Sequence, residues 1–316
     1  MPSKTAHKPI IFALNSNKPL AKKISEVSGM PLGNATINHF SDGEIKISID
    51  ESIRGDDVYI IQSLSDPVND NLMELLIMID AVRRTSSHAI NVVIPYYGYS
   101  RSDCKAKSRE PITAKLIASF LQNSSVDRVI AFDLHAAQIQ GFFDIPVDHL
   151  QSDKLVSDYL YEHHLNQDAV VVAPDHNGVG RARNVADRLD LPIAIVDNRQ
   201  PDDSDHVPDS VIGDVKGKNA IIVDDMIVTG RKMKVSAAAL KKAGANKIYV
   251  AATHPVFSEA VKDNLSDDNI EQVIVTDSIV IPKKYQMKKI SVISVGNLIG
   301  EALKLIQENK STHVLF

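Results

Sequence analysis

The chain predicts an α/β fold built twice, each half a mostly parallel sheet flanked by helices. Three observations carry that expectation. Short apolar strands recur along the chain and alternate with helical stretches, the pattern of βαβ units. Residues 89–101 (AINVVIPYYGYSR) and 218–231 (KNAIIVDDMIVTGR) share one organisation, a buried strand running into a turn. Each is followed by a helix and then by a strand that ends in a histidine. One large doubly wound domain is the simpler alternative.

Taken in order, Ile10–Leu14 reads as the first strand. The preceding MPSKTAHKP has no apolar segment and does not read as a secretion signal. Ile45–Ile49 alternates apolar and polar residues, as a strand with one buried face does. Further strands are expected at 58–62 and from Ala89 into the Tyr96–Arg101 turn, then a helix over 111–123 (PITAKLIASFLQN). VDRVIAFDLHA at 126–136 closes this unit as a strand ending at His135. The halves meet near residues 148–155, giving domains 1–150 and 151–316, with the C-terminal segment able to pack back on the first half. In the second half, strands are expected at 169–173 and 192–196, with a helix carrying Arg181 and Arg183 between them. The apolar run Ala220–Val223 is expected to stop at Asp224 and Asp225, before a helix from about Lys232 to Gly244 and a strand over 245–255.

Composition narrows the class. A chain of 316 residues has room for two domains of ordinary size. Hydrophobic residues at 44% and charged residues at 24% are those of a soluble globular protein. No apolar run approaches the roughly 20 residues that cross a bilayer, so no membrane is expected as a partner. A single cysteine, Cys104, excludes an intrachain disulfide and fits a reducing cytoplasm. A net charge of −5 and the absence of Trp speak against nucleic acid as a partner.

Ligands of open α/β sheets sit beyond the carboxyl ends of the strands, and the polar motifs lie there. Asp224 and Asp225 suit sugar hydroxyls, directly or through a divalent cation. The free backbone amides at the following helix start favour a phosphate, which makes Thr229 and Gly230 part of a candidate sugar-phosphate loop. Phe40-Ser41-Asp42-Gly43-Glu44 is either a plain turn or a place where Phe40 packs on a nucleobase while Asp42 and Glu44 accept hydrogens from base or ribose. The loop Arg101-Ser102-Asp103, with Lys105, Lys107 and Arg109, is either a solvated basic loop or a polyphosphate clamp and lid. His135 is either structural or a magnesium ligand, and Asp175 is either a turn and cap residue or a partner in that metal site. His254, without an acidic neighbour, reads as structural.

The segments FSDGE, YGYSRSD, KSREPITAKL, DLHAAQIQGFFDIPVD and IIVDDMIVTG occur in the order and spacing of ribose-phosphate pyrophosphokinases, the synthetases of phosphoribosyl pyrophosphate. The resemblance runs from about Ile10 to Phe316. It implies two domains of the phosphoribosyltransferase type I fold, assembled as a homo-hexamer or as a mixed oligomer with a paralogue. The substrates it implies are ATP with Mg²⁺ and ribose 5-phosphate, and the products are AMP and phosphoribosyl pyrophosphate for nucleotide biosynthesis. By the same resemblance, Phe40, Asp42, Gly43 and Glu44 match the ATP-base segment. Arg101 matches an ATP-phosphate contact, with Ser102 in place of the usual Gln and Asp103 beside it. His135 and Asp175 match magnesium positions, and Asp224, Asp225, Thr229 and Gly230 match the ribose 5-phosphate loop. Arg54 and Ser311–Phe316 match regulatory contacts to phosphate or ADP.

The chain departs from that pattern in its second half. Where active relatives carry Asp-Lys-Arg-Arg, this chain has Asp197-Asn198-Arg199-Gln200. Asn198 and Gln200 replace two cations, and only Arg199 remains. The family's Asp-Thr-Gly-Gly-Thr becomes Val228-Thr229-Gly230-Arg231-Lys232. Val228 cannot accept a ribose hydrogen bond, and Arg231 replaces a glycine that lets backbone approach phosphate. Arg231 and Lys232 bring charge of their own to that loop. Two expectations follow: an active synthetase with altered details, or a catalytically weak paralogue that regulates or scaffolds true synthetase subunits. A base-transferring phosphoribosyltransferase is disfavoured, because Val228 removes the loop carboxylate.

Overall fold

The structure is a computed structural model, and it describes residues 7–198, 205–208 and 210–316. The chain divides into two compact units. One runs to Gln151 and takes in Gly296–Phe316, and the other is Ser152–Val295.

The first unit opens with β1 (Pro9–Ala13) and α1 (Lys18–Ser28). The Asn17 side chain accepts from the Leu20 amide at the start of α1, and Gly29, at φ 73°, ends it. β2 (Ala35–His39) and β3 (Ile45–Ile49) pair as an antiparallel hairpin. β4 (Asp57–Ile61), α2 (Val68–Arg84), β5 (Ala89–Ile94), α3 (Thr113–Asn123), β6 (Arg128–Phe132) and β7 (Val147–Leu150) follow. The sheet order is β1-β4-β5-β6-β7, parallel throughout. Its central strands are mostly apolar and buried beyond their first residue because both faces are covered. The hairpin lies outside this sheet, and Ile37, Ile47 and Ile49 from its apolar face pack on the same core.

In the second unit, α4 (Asp153–Glu162), β8 (Ala169–Ala173), α5 (Val179–Leu189), β9 (Ile193–Val196) and β10 (Val211–Ile212) lead to β11 (Asn219–Ile227). α6 (Arg231–Lys242), β12 (Ile248–Pro255), α7 (Val261–Leu265), β13 (Gln272–Thr276) and β14 (Ile290–Ile293) complete it. The sheet order is β10-β9-β8-β11-β12-β13-β14, with only β10 antiparallel to its neighbour. The internal repeat has a topological counterpart. β5 lies between β4 and β6 as β11 lies between β8 and β12, each followed by a crossover helix.

Two local expectations are corrected. β11 does not stop at the carboxylates but continues to Ile227, with Asp224 opposite Ala252 and Met226 opposite His254 on β12. Met226 and Ile227 are buried, so the strand continues as far as its long neighbour can cover it. In the first half the strand is shorter than expected. It ends at Phe132, because Asp133 turns to φ 48° and leaves His135 in the loop beyond.

The last helix, α8 (Gly296–Gln307), belongs to the first unit. Gln307 anchors its end: its Oε1 accepts from the Tyr59 hydroxyl at 2.9 Å, and its Nε2 donates to Asp57 Oδ2 at 2.8 Å. α8 also approaches α1 closely. A Cβ on Gly300 would lie 2.7 Å from Val27 Cβ and 3.1 Å from the Ile24 carbonyl oxygen. Glycine in a helix interior costs about 0.5–1 kcal/mol relative to alanine, so contact between backbones is what this residue provides. No helix among the described residues is long and apolar enough to cross a membrane.

Gly300→Val is therefore expected to destabilise the protein by about 1–3 kcal/mol through overpacking. Chemical denaturation followed by circular dichroism measures this. An unchanged midpoint would show that α1 and α8 separate at no cost.

Candidate functional site

In the first unit, three loops carry the expected residues. At the hairpin tip the Phe40 and Glu44 backbones pair at 2.8 Å, and Asp42 Oδ1 accepts from the Glu44 amide at 3.1 Å. That is an Asx-type turn with Gly43 at φ 93°. The turn leaves the Phe40 ring half-exposed, with Asp42 and Glu44 also at the surface. An exposed aromatic ring beside two carboxylates is a surface able to stack a base and accept its hydrogens.

The loop after β5 begins in the core. The buried Tyr97 hydroxyl donates to the Ala114 carbonyl at 3.0 Å, while the loop's cations Arg101, Lys105, Lys107 and Arg109 are exposed. Asp103 Oδ2 accepts from Gln138 Nε2 at 2.8 Å, which ties this loop to the one carrying His135. Sequence reading did not anticipate that link. His135 is exposed on a well-braced loop: the Leu134 amide donates to His149 Nε2 at 2.9 Å, and the Asp133 amide donates to the Leu150 carbonyl at 2.7 Å. Ser102 and Asp103 are half-buried in the same region, and Arg54 is exposed.

The second unit gathers its residues at the ends of β8 and β11. β8 pairs with β11 only as far as Ile222, so Asp224 and Asp225 lie on β11 beyond the reach of β8. Both are buried. Burial and the neighbouring Asp225 raise the Asp224 carboxyl above the usual carboxylate range, and Lys232 works against them. Asp175 follows β8. Its Oδ1 accepts from the amides of Asn177 at 2.8 Å and Gly178 at 3.0 Å, so the turn-and-cap reading describes that oxygen. Its Oδ2 lies 2.9 Å from Lys232 Nζ. Burial alone would raise the Asp175 carboxyl, but the charge and hydrogen bond of Lys232 and the two amides hold it below its ordinary value.

The loop after β11 is held from behind. The Val228 carbonyl accepts from the Ser258 amide at 3.0 Å, and the Thr229 carbonyl accepts from Asn264 Nδ2 at 2.9 Å. Gly230 stands at φ 75°, where a Cβ would also lie 3.0 Å from Leu265 Cγ. The sharp turn and this close approach both require glycine. Arg231 starts α6, with its amide 3.3 Å from Thr229 Oγ1 and its guanidinium 3.0 Å from the Asp205 carboxylate. Asn198, buried just past β9, donates its amide to the Val196 carbonyl at 2.7 Å. Arg199 and Gln200 lie outside the described residues. His254 is buried in β12, with Nδ1 2.9 Å from Ser278 Oγ.

Magnesium is implied at His135 and Asp175, which belong to different units. Among the described residues no group of three or more His, Cys, Asp or Glu side chains is arranged to hold a metal. Both oxygens of Asp175 are engaged, one by amides and one by an ammonium. As it stands, the Asp175 carboxylate does not fit a divalent cation.

Two parallel sheets, each with a strand, turn and helix at its centre, define a protein of two tandem phosphoribosyltransferase type I-like domains. Comparison with known proteins narrows this class. Residues 9–124 match the N-terminal domain of ribose phosphate pyrophosphokinase, and residues 204–316 match the phosphoribosyl synthetase-associated domain. A protein of Lactiplantibacillus plantarum, provisionally named ribose-phosphate pyrophosphokinase 2, is 57% identical over 97% of this chain and 95% of its own length. Ribose-phosphate pyrophosphokinase 2 of Enterococcus faecalis is 53% identical over 97% of this chain and 95% of its own. The crystal structure of phosphoribosylpyrophosphate synthetase from Mycobacterium smegmatis superposes with a TM-score of 0.90 at 37% identity, covering 96% of this chain and 99% of that one. The chain belongs to the ribose-phosphate pyrophosphokinase family.

The raised Asp224 carboxyl has a consequence for stability. A carboxyl that holds its proton more tightly folded than unfolded opposes folding increasingly as pH rises above the unfolded value of about 3.9. Asp224→Asn is expected to leave the Tm nearly unchanged at about pH 4 and to raise it at pH 8. The scale is about 2–4 °C for each kcal/mol. Thermal melts across this range measure the effect, and a variant less stable at pH 8 than wild type would reverse the sign.

Proposed function

We propose that this chain is a ribose-phosphate diphosphokinase that takes Mg-ATP and ribose 5-phosphate. The observation that carries the reading is the second-unit loop. A buried pair of carboxylates on β11 is followed by the positive-φ turn at Gly230 and the start of α6. In the proposed complex Asp225 and Asp224 orient the ribose hydroxyls. The amides at the start of α6, with Thr229 and Arg231, receive the 5-phosphate. In the first unit Phe40 stacks on adenine, Asp42 and Glu44 accept its hydrogens, and Arg101 with the basic loop binds the ATP phosphates. The C1 hydroxyl oxygen then attacks the β-phosphorus. A new O–P bond forms, the bond from that phosphorus to the α,β-bridging oxygen breaks, and AMP leaves as the hydroxyl proton passes to solvent. Catalysis of this kind rests on positioning and on stabilising charge over the transferred group.

A second reading is favoured by Asn198. It is a buried neutral side chain at the position of the family's catalytic lysine. Losing one preorganised charge contact typically costs about 10²–10³ in rate, and Gln200 removes a second cation. Under this reading the chain retains substrate binding and serves as a regulatory or scaffolding subunit of a synthetase oligomer.

The purified chain, given Mg-ATP and ribose 5-phosphate, separates the two. AMP formation at about 1 s⁻¹ or faster establishes the synthetase and sinks the subunit reading. Trace turnover that rises at least about 10²-fold in the triple variant Asn198→Lys, Gln200→Arg, Val228→Asp supports the subunit reading. Trace turnover with no gain would show that the defect lies elsewhere.

A further inference from the structure

Lys232 is the least expected residue of the second unit. It stands in the first turn of α6, where the helix dipole disfavours a cation. Its side chain is only 20% exposed, although burying an unpaired ammonium is costly. Two carboxylates, one on β11 and one in the turn after β8, account for its place: Asp175 Oδ2 at 2.9 Å and Asp224 Oδ2 at 3.4 Å from Nζ. Asp175 is 57 residues away in sequence. The only oxygen of Asp175 not engaged by backbone amides is the one that Lys232 takes. A magnesium ion would need that oxygen at about 2.0–2.1 Å, and the ammonium already fills the position.

We infer that Lys232 is a tethered counter-ion that replaces a divalent cation at the Asp175–Asp224 carboxylate pair. The carboxylate pair is thereby partly offset by a cation of its own chain, and magnesium enters this protein with ATP rather than through Asp175. The assignment of a phosphorylated pentose to this pocket rests on the function proposed above, but the counter-ion role does not. The ammonium carries less charge than a divalent ion and presents hydrogen-bond donors in place of open coordination positions. It therefore offsets one of the two carboxylate charges without offering a metal to the sugar.

The test counts metal ions on the full chain, with Mn²⁺ as probe, by electron paramagnetic resonance and calorimetry. Lys232→Thr is expected to bind one Mn²⁺ per chain more than wild type. The double variant Lys232→Thr, Asp175→Asn should lose that added site, and Lys232→Arg, which keeps the charge, should not gain it. If Lys232→Thr unfolds in chelator, recovery of its circular dichroism on adding Mn²⁺ supports the inference, and failure to recover in millimolar Mn²⁺ overturns it. Equal Mn²⁺ counts in wild type and folded Lys232→Thr also overturn it, as does an added site that survives Asp175→Asn. Titration of wild type with ribose 5-phosphate in chelator tests the ligand reading separately. No binding with or without Mg²⁺ would remove the sugar phosphate while the Mn²⁺ counts still decide the role of Lys232.

Discussion

Two adjacent carboxylates inside a parallel sheet are the constraint around which the second unit is organised. β11 carries Asp224 and Asp225 as buried residues in the middle of a hydrogen-bonded strand, where solvent cannot neutralise them. Ionised groups in such a place require partners, and isolated charge in a low-dielectric interior is expensive. The chain meets this with Lys232, which reaches from the start of α6 to Asp224 and to Asp175 at the end of β8. The loop between β11 and α6 is held in place by Ser258 and by Asn264 of α7, so the lysine stem starts from a fixed point. Asp175 in turn fixes the turn into α5 through its other oxygen. A single ammonium thus connects β11, the turn after β8 and two helix starts.

The two units share a topology and use it differently. In each, a central strand leads through a turn into a crossover helix, and the polar residues collect at the strand's carboxyl end. In the first unit those residues are mostly exposed: the cations of the loop after β5, His135 and the hairpin tip at Phe40. In the second they are less exposed, with Asp224 and Asp225 buried and Asp175, Arg231 and Lys232 in ion pairs. Exposed cations on a long loop suit a flexible, heavily charged ligand, while a rigid buried carboxylate pair suits a ligand held by defined hydroxyls. The closing helix α8 adds asymmetry, because it comes after the last strand of the second unit yet packs on α1 of the first.

Set against the pattern that the resemblance implies, the second unit both loses and gains charge. Val228 and Asn198 remove charge from expected positions, while Arg231 and Lys232 add it within the same loop and helix start. The added cations are each paired, Arg231 with Asp205 and Lys232 with the carboxylate pair. An incoming anion has to compete with those pairs. The Arg231–Asp205 pair is largely exposed on the Asp205 side and so is weak, whereas the Lys232 pairs are shielded. Arg231 is therefore the less firmly held of the two cations.

Much of this was legible in the chain of residues, because local patterns govern it. Apolar runs bounded by turns marked the central strands, the repeated strand, turn and helix marked the duplication, and the motif order marked the family. Gly230 followed from the turn that must precede a helix start. Other features depend on contacts between distant residues. The length of β11 was decided by β12 beside it, since a strand lasts as long as its neighbours cover it. The end of β6 was decided by the backbone turn at Asp133. The place of α8 depends on how closely Gly300 lets it approach α1. The sequence by itself determined the α/β class and the repeated strand, turn and helix, because hydrophobic periodicity and turn chemistry are local. Only the tertiary structure decided that Lys232 would meet Asp175 and Asp224. Pairing of buried charges depends on which strand ends fold side by side, and no spacing along the chain records that.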